Sequence, residues 1–192
     1  MTINWAEVNK VLSPIKDYED LCKRYNVSFA YPFVRAAFNL SMLELVDYTQ
    51  RLLGGDARGR YTEYAAKLIG ILTALQQAGV PNVLDLASRV DSRAKLEAFT
   101  EQSGVSAPDT ISVLKYLIYW FIPAEKYLNE LVRNDPAISE AIKILRGVGV
   151  KTNLDLLQQG TTLEGRRALV ASSGLPEAVV TDIQALVHEV AI

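Results

Sequence analysis

Apolar positions recur at helical spacing along nearly the whole of this 192-residue chain. Tyr61, Tyr64, Ala65, Leu68, Ile69, Leu72 and Leu75 follow one another at steps of three and four, which puts them on one helical face. Near the end of the chain Val179, Val180, Ile183, Leu186, Val187 and Val190 form a second such stripe, with Thr181, Asp182, Gln184 and Glu189 off it. No segment shows the period-two alternation of a strand. Ile111 to Ile122 breaks the amphipathic pattern, being apolar or aromatic everywhere except Ser112 and Lys115. A helix apolar on every side needs cover on every side. The expected cover is the N-terminal segment, where Phe29-Ala30-Tyr31-Pro32-Phe33 leads into a long apolar-rich helix ending near Gly54-Gly55.

Glycines, prolines and capping residues divide the pattern. Ala78-Gly79-Val80-Pro81 ends one helix, because glycine accepts the positive φ of a C′ position and proline forbids continuation. Asn82 with Asp85 caps a short helix, a further helix runs from about Ser92 to Ser103, and Ser106 with Asp109 opens the next after Gly104. The same grammar returns later. Asp135-Pro136 opens a helix that Gly147-Val148-Gly149 ends, and Thr152 with Asp155 and Thr161 with Glu164 are two further cap signatures. Gly79-Val80 and Ser103-Gly104-Val105 thus recur as Gly149-Val150 and Ser173-Gly174-Leu175 at a gap-free offset of seventy, with Leu84-Asp85-Leu86 matched by Leu154-Asp155-Leu156. Self-similarity on this scale signals a duplicated supersecondary unit. At an offset of seventy-eight, Asn26-Val27-Ser28 also aligns with Gly104-Val105-Ser106, which predicts a fragment of a third copy with Asn26 as a left-handed cap.

Two helices, a glycine turn, a short helix beginning Thr152-x-x-Asp155-Leu156, then Arg167-x-Leu169 and Ser173-Gly174-Leu175 before a final helix: this order resembles the helix-hairpin-helix superfamily. The run from Leu145-Arg146-Gly147-Val148-Gly149-Val150 through Leu157 is similar to a bacterial domain-of-unknown-function family with tandem helix-hairpin-helix repeats. The resemblance covers roughly 138–190 and, more weakly, 68–122. It implies an all-α fold of two tandem helix-hairpin-helix-like units (61–134 and 135–192) packed on an N-terminal helical cap (1–60). Many members bind nucleic acid through a Gly-x-Gly hairpin. Here the hairpin expected before Pro136 reads Val132-Arg133-Asn134-Asp135, without glycine, and Gly147-Val148-Gly149 falls in the turn after the helix.

Charge and chemistry narrow the functional classes. The formal net charge is −2, which gives no global attraction to phosphate polymers. One cysteine, Cys22, and one histidine, His188, supply neither an intramolecular disulfide nor a Cys/His zinc set. No catalytic constellation, metal site or cofactor motif is expected. The N-terminal residues show no basic run followed by an apolar core, and no apolar run is long enough to span a membrane, so a cytoplasmic protein without a membrane span is expected. Arg58 and Arg60, in the glycine-rich stretch from Gly54 to Arg60, are the best candidates for anion or nucleic-acid contact, and Arg166 and Arg167 behind Gly165 are the next. The plainer reading of the first pair is an inter-helix loop. Every Phe, Tyr and Trp precedes residue 128, which suits core packing, a pocket for an apolar small molecule, or a partner surface. Leu117 and Trp120, three residues apart, are expected to share a helical face and serve as an interaction surface. These features together predict a non-enzymatic interaction or scaffolding protein that binds a protein partner or itself. A weak nucleic-acid module and an apolar carrier are the alternatives.

Overall fold

The computed structural model describes residues 3–54, 59–131 and 136–191, with side chains to 187. Among these the chain is all-α, without a strand. Four helices lead in: α1 (Trp5–Leu12), α2 (Tyr18–Phe29), α3 (Pro32–Ala37) and α4 (Met42–Gly54). α5 (Thr62–Gln77), α6 (Val83–Arg89), α7 (Arg93–Ser103) and α8 (Ala107–Tyr116) follow, and a π-helical turn (Leu117–Phe121) continues α8. α9 (Leu128–Leu131), α10 (Pro136–Gly147), α11 (Asn153–Gly160), α12 (Leu163–Ser173) and α13 (Glu177–Ala191) complete the order. The chain divides into two compact units. The first holds 1–26 and 35–121, and the second holds 27–34 and 122–192.

The seventy-residue register is present in the backbone. α6 and α11 start seventy residues apart, as do α7 and α12 and then α8 and α13. Gly79 and Gly149, and Gly104 and Gly174, all have φ between 70° and 91°. Each of these turns hands its backbone bonds over alike: Val80 N donates to the Leu75 carbonyl at 3.1 Å and Val150 N to the Leu145 carbonyl at 3.0 Å. The caps repeat as well, since Asn82 Oδ1 accepts from Asp85 N at 2.9 Å and Thr152 Oγ1 accepts from Asp155 N at 3.1 Å. Leu72, Leu75, Val80, Leu86, Phe99 and Val113 are buried, and so are their partners Ile142, Leu145, Val150, Leu156, Leu169 and Ile183. Each unit also receives a short extended segment beside the cap of its middle helix. Ser41 bridges to Asn82 in the first and Tyr127 to Thr152 in the second.

That bridge explains one departure from the sequence pattern. The long helix expected from Phe33 to Gly54 is broken at Phe38–Ser41, because Leu40 O accepts from Val83 N at 3.1 Å and Asn39 Oδ1 accepts from Leu84 N at 3.0 Å. α4 then restarts on Ser41, whose Oγ accepts from Glu44 N while Glu44 Oε2 accepts from Ser41 N at 2.8 Å. The third copy is also absent: α2 runs helical through Asn26, and no residue other than glycine has positive φ among the described residues. The second cap of the later unit sits one residue beyond its expected place. Thr162 accepts from Gly165 N at 3.0 Å, while the Thr161 hydroxyl turns back to the Leu157 carbonyl. Asp135, expected to cap α10, lies outside the described residues.

The two units differ most in their last helix. In the first, α1 packs along α8 and the Lys115 ammonium donates to the carbonyls of Val11 and Ser13 at the end of α1. Tyr25 Oη of α2 donates to the Leu114 carbonyl at 2.7 Å. Ile111 and Leu114 are buried, and so is Tyr116, whose hydroxyl meets Thr49 of α4. At their positions plus seventy, α13 carries Thr181, Gln184 and Leu186, so two of the three positions that are apolar or aromatic in the earlier helix are polar in the later one. In the second unit, residues 27–34 act as a strap. Ser28 Oγ donates to the Pro123 carbonyl at 3.2 Å, Tyr31 Oη donates to Glu125 Oε1 at 2.9 Å and reaches Asp155 Oδ1 at 3.1 Å, and Phe33 N donates to Gln158 Oε1 at 3.1 Å.

Glycine substitutions separate conformational from packing demands. Gly104→Ala and Gly174→Ala are each expected to cost about 1–2 kcal/mol, the penalty of a left-handed L-residue. Gly165→Ala costs more, since its Cβ would lie 1.9 Å from the Gln159 carbonyl oxygen. Gly70→Ala, in mid-helix with nothing within 4 Å, gains about 0.4–1 kcal/mol. Urea titrations of the four variants check this order; equal effects at Gly70 and Gly104 would contradict it.

Candidate functional site

The first unit carries an aromatic surface where α8 becomes the π-helical turn. The turn supplies Leu117-Ile118-Tyr119-Trp120-Phe121. A π turn hydrogen-bonds i to i+5 and holds more residues per turn than an α-helix. Leu117 and Phe121 face inward, at 0% and 9% exposure, while Tyr119 and Trp120 face out at 49% and 40%, the wider turn setting Trp120 farther round from Leu117 than α spacing does. This corrects the expected pairing of Leu117 with Trp120. Leu117 is core and offers nothing to a partner; Trp120 alone of the two is at the surface.

Rings from earlier helices frame the turn. Phe121 makes edge contacts with Phe38 and Tyr48, with centroids 5.4 and 5.1 Å apart. Tyr61, the N-cap of α5, meets Trp120 edge-on at 5.5 Å, and the Arg60 guanidinium lies over the Tyr61 ring at 5.7 Å from its centroid. Tyr64, one turn along α5, is 36% exposed. Trp120 therefore rests on one neighbouring ring and leaves much of its face open. Such a combination of Trp, Tyr and Arg is the composition that dominates binding energy at protein interfaces.

Beneath this surface the polar ends of buried rings are satisfied. The Tyr116 and Thr49 hydroxyls are 2.8 Å apart, and the Thr49 hydroxyl lies 2.7 Å from the Leu45 carbonyl, so a proton chain from Tyr116 through Thr49 to that carbonyl satisfies all three. Burial pushes the Tyr116 phenol up to about 12, and burial raises Tyr64 as well. Tyr18 Oη donates to the Val90 carbonyl, and burial holds Tyr18 and Tyr25 far above the ordinary phenol range.

The basic candidates do not form one site. Arg58 lies outside the described residues. Arg60 is exposed on the first unit, next to the aromatic rings. Arg166 and Arg167 belong to α12 of the second unit, with Arg166 half-buried at the position plus seventy of the buried Leu96 and Arg167 exposed. The Cys22 thiol is pushed up to about 11 by burial and reaches the Val90 carbonyl at 3.8 Å, an environment that keeps it protonated. His188 has no described side chain. Among the described residues no group of three or more His, Cys, Asp or Glu is placed to hold a metal ion. No described helix is long and apolar enough to cross a membrane.

Helical spacing puts Tyr61 and Tyr64 on one face with Leu68, Leu72 and Leu75; the structure buries the leucines and leaves Tyr64 exposed at the N-terminal end of that face. No protein-family model, curated protein or solved structure matches the chain.

The buried phenols give a pH dependence. Unfolded tyrosine releases its proton near 10, and folded Tyr116 holds it to about 12, so above pH 10 the folded state binds more protons than the unfolded. Stability is then fully present below about pH 10 and falls as pH rises toward 12. Thermal melts across that range are expected to drop, and Tyr116→Phe to flatten the drop. An alkaline profile identical in Tyr116→Phe and the parent would contradict the burial argument.

Proposed function

We propose that this protein is a non-enzymatic interaction or scaffolding protein, built of two helix-hairpin-helix-like units, that docks a protein partner on the aromatic surface of its first unit. The observation that supports this reading is the outward pair Tyr119–Trp120 on the π turn, backed by Tyr61 and Arg60. Exposing a Trp and a Tyr to water side by side forfeits apolar burial that a bound partner restores. The repeated caps and left-handed glycines support the helix-hairpin-helix kinship, with the first copy enlarged by the covering helices α1 and α2.

Nucleic-acid binding ranks below this reading. With a net charge of −2 and its described arginine candidates divided between two units, the chain has little of the phosphate neutralisation that such affinity needs. An apolar carrier also ranks lower, because the large N-terminal aromatics Tyr18, Tyr25 and Phe29 are packed as core.

Trp120→Ala tests the proposal. It removes one edge-to-face contact and is expected to cost about 0.5–1.5 kcal/mol of stability. Partner affinity should fall by about 2 kcal/mol or more, roughly thirtyfold, as for a hot-spot tryptophan. Quantitative affinity capture from the source cells with parent and Trp120→Ala baits reads this. Equal capture of every protein by both baits would defeat the proposal. Micromolar binding of a generic single-stranded oligonucleotide, lost in Arg60→Ala, would replace it with the nucleic-acid reading.

A further inference from the structure

One surface is hollow in the first of the two units, and its counterpart seventy residues on carries the exposed Ile144. In the first unit a groove of about 630 Å³ runs between α5 and the start of α8. Its lining includes Gly70, Ala74, Ala78 and Ser106, with Lys67 and Asp109 paired at its edge, 3.8 Å apart. The residues seventy positions on are Glu140, Ile144, Val148, Pro176, Ala137 and Val179. Gly70, Ala74, Ala78 and Ser106 are each replaced by a larger residue, while Ser103 and Gly104 at the end of the groove recur unchanged as Ser173 and Gly174. Ile144 projects at 38% exposure, flanked by the Glu140–Lys143 pair at 2.8 Å.

We infer that the groove of one molecule receives the Ile144 ridge of a second copy of this chain. This inference rests on the reading of the protein as an interaction protein. Three observations carry it. The shapes are complementary, since Gly70, Ala74 and Ala78 leave open the space that an isoleucine and a valine occupy. The charges are complementary too: the groove edge offers a cation and an anion in Lys67 and Asp109, and the ridge offers the reverse pair in Glu140 and Lys143. Both surfaces are also open within one molecule, Lys67 and Lys143 having side chains 60% and 70% exposed. A scaffold whose groove and ridge lie on different units joins head to tail. That is a heterologous contact, which does not stop at a dimer unless its rotation closes a ring.

Sedimentation velocity of the full chain over a wide concentration range tests the inference. The parent is expected to grow in average mass with concentration, and Ile144→Asp or Ala74→Leu to weaken that growth at least tenfold while retaining the parent's helical circular dichroism. Should Ala74→Leu disturb folding, the exposed charges provide the second arm. Lys67→Glu and Glu140→Lys should each weaken association, and the double variant should restore it.

A parent that stays monomeric throughout would overturn the inference, as would single charge variants indistinguishable from the parent or a double variant that shows no rescue. Trp120→Ala should leave the assembly intact. Loss of assembly in that variant with Ile144→Asp unaffected would move the self-contact to the aromatic surface and refute the groove. Partner capture by the Ile144→Asp variant, set against Trp120→Ala, keeps the fate of the docking proposal separate.

Discussion

Four glycines held at positive φ set the geometry of both units. Gly79 and Gly149 turn the chain between a long helix and the bridged segment that precedes the next, and Gly104 and Gly174 turn it into the last helix. A left-handed turn directs the following helix along one course, and an L-residue there resists that course. The caps at Asn82 and Thr152 fix the start of the next helix to within one residue. Once turn and cap are set, the positions of Leu86 and Leu156, or Phe99 and Leu169, follow without further specification. This is why side chains could diverge between the copies while the register of seventy did not.

The difference between the copies has a physical logic. In the first copy the last helix is covered and its sequence is apolar nearly all round, with Lys115 accommodated because its ammonium reaches backbone carbonyls. Desolvation lowers the pKa of that lysine, yet two carbonyls accept from its charge. The second copy has a polar outer face on α13, with Thr181 and Asp182 exposed. Its middle helix carries the buried Asn153, whose side chain accepts from Lys126 N at 2.7 Å and donates to the Ala124 carbonyl at 2.9 Å. Asparagine in the second copy stands where the first has Val83, and in the first copy Asn39 works from the opposite segment. The same bridge is stabilised from opposite sides.

The helices, their caps and the duplication were legible because they depend on local chemistry: spacing, glycine and short polar side chains. The break at Asn39-Leu40-Ser41 was not, since it is imposed by a pairing with residues some forty positions away. The π turn was equally hidden. Leu117 to Phe121 reads as apolar helix in either geometry, and the extra residue per turn decides which of Leu117 and Trp120 meets water. For the basic candidates, sequence gave proximity only within each pair, whereas the structure separates Arg60 from Arg166 and Arg167 into different units. Charge alone carries no information about which surfaces a fold brings together.

The strap of residues 27–34 has a consequence for how the chain is born. Ser28 meets Pro123 across 95 residues, and Tyr31 meets Asp155 across 124. At synthesis rates of about 5–20 residues per second, these groups wait roughly 5–25 seconds after leaving the ribosome before their partners exist. Throughout that interval the end of α2 and the start of α3 must be held by the earlier unit or remain solvated. The second unit therefore completes itself around a piece delivered in advance, and its folding cannot begin and end within its own stretch of messenger.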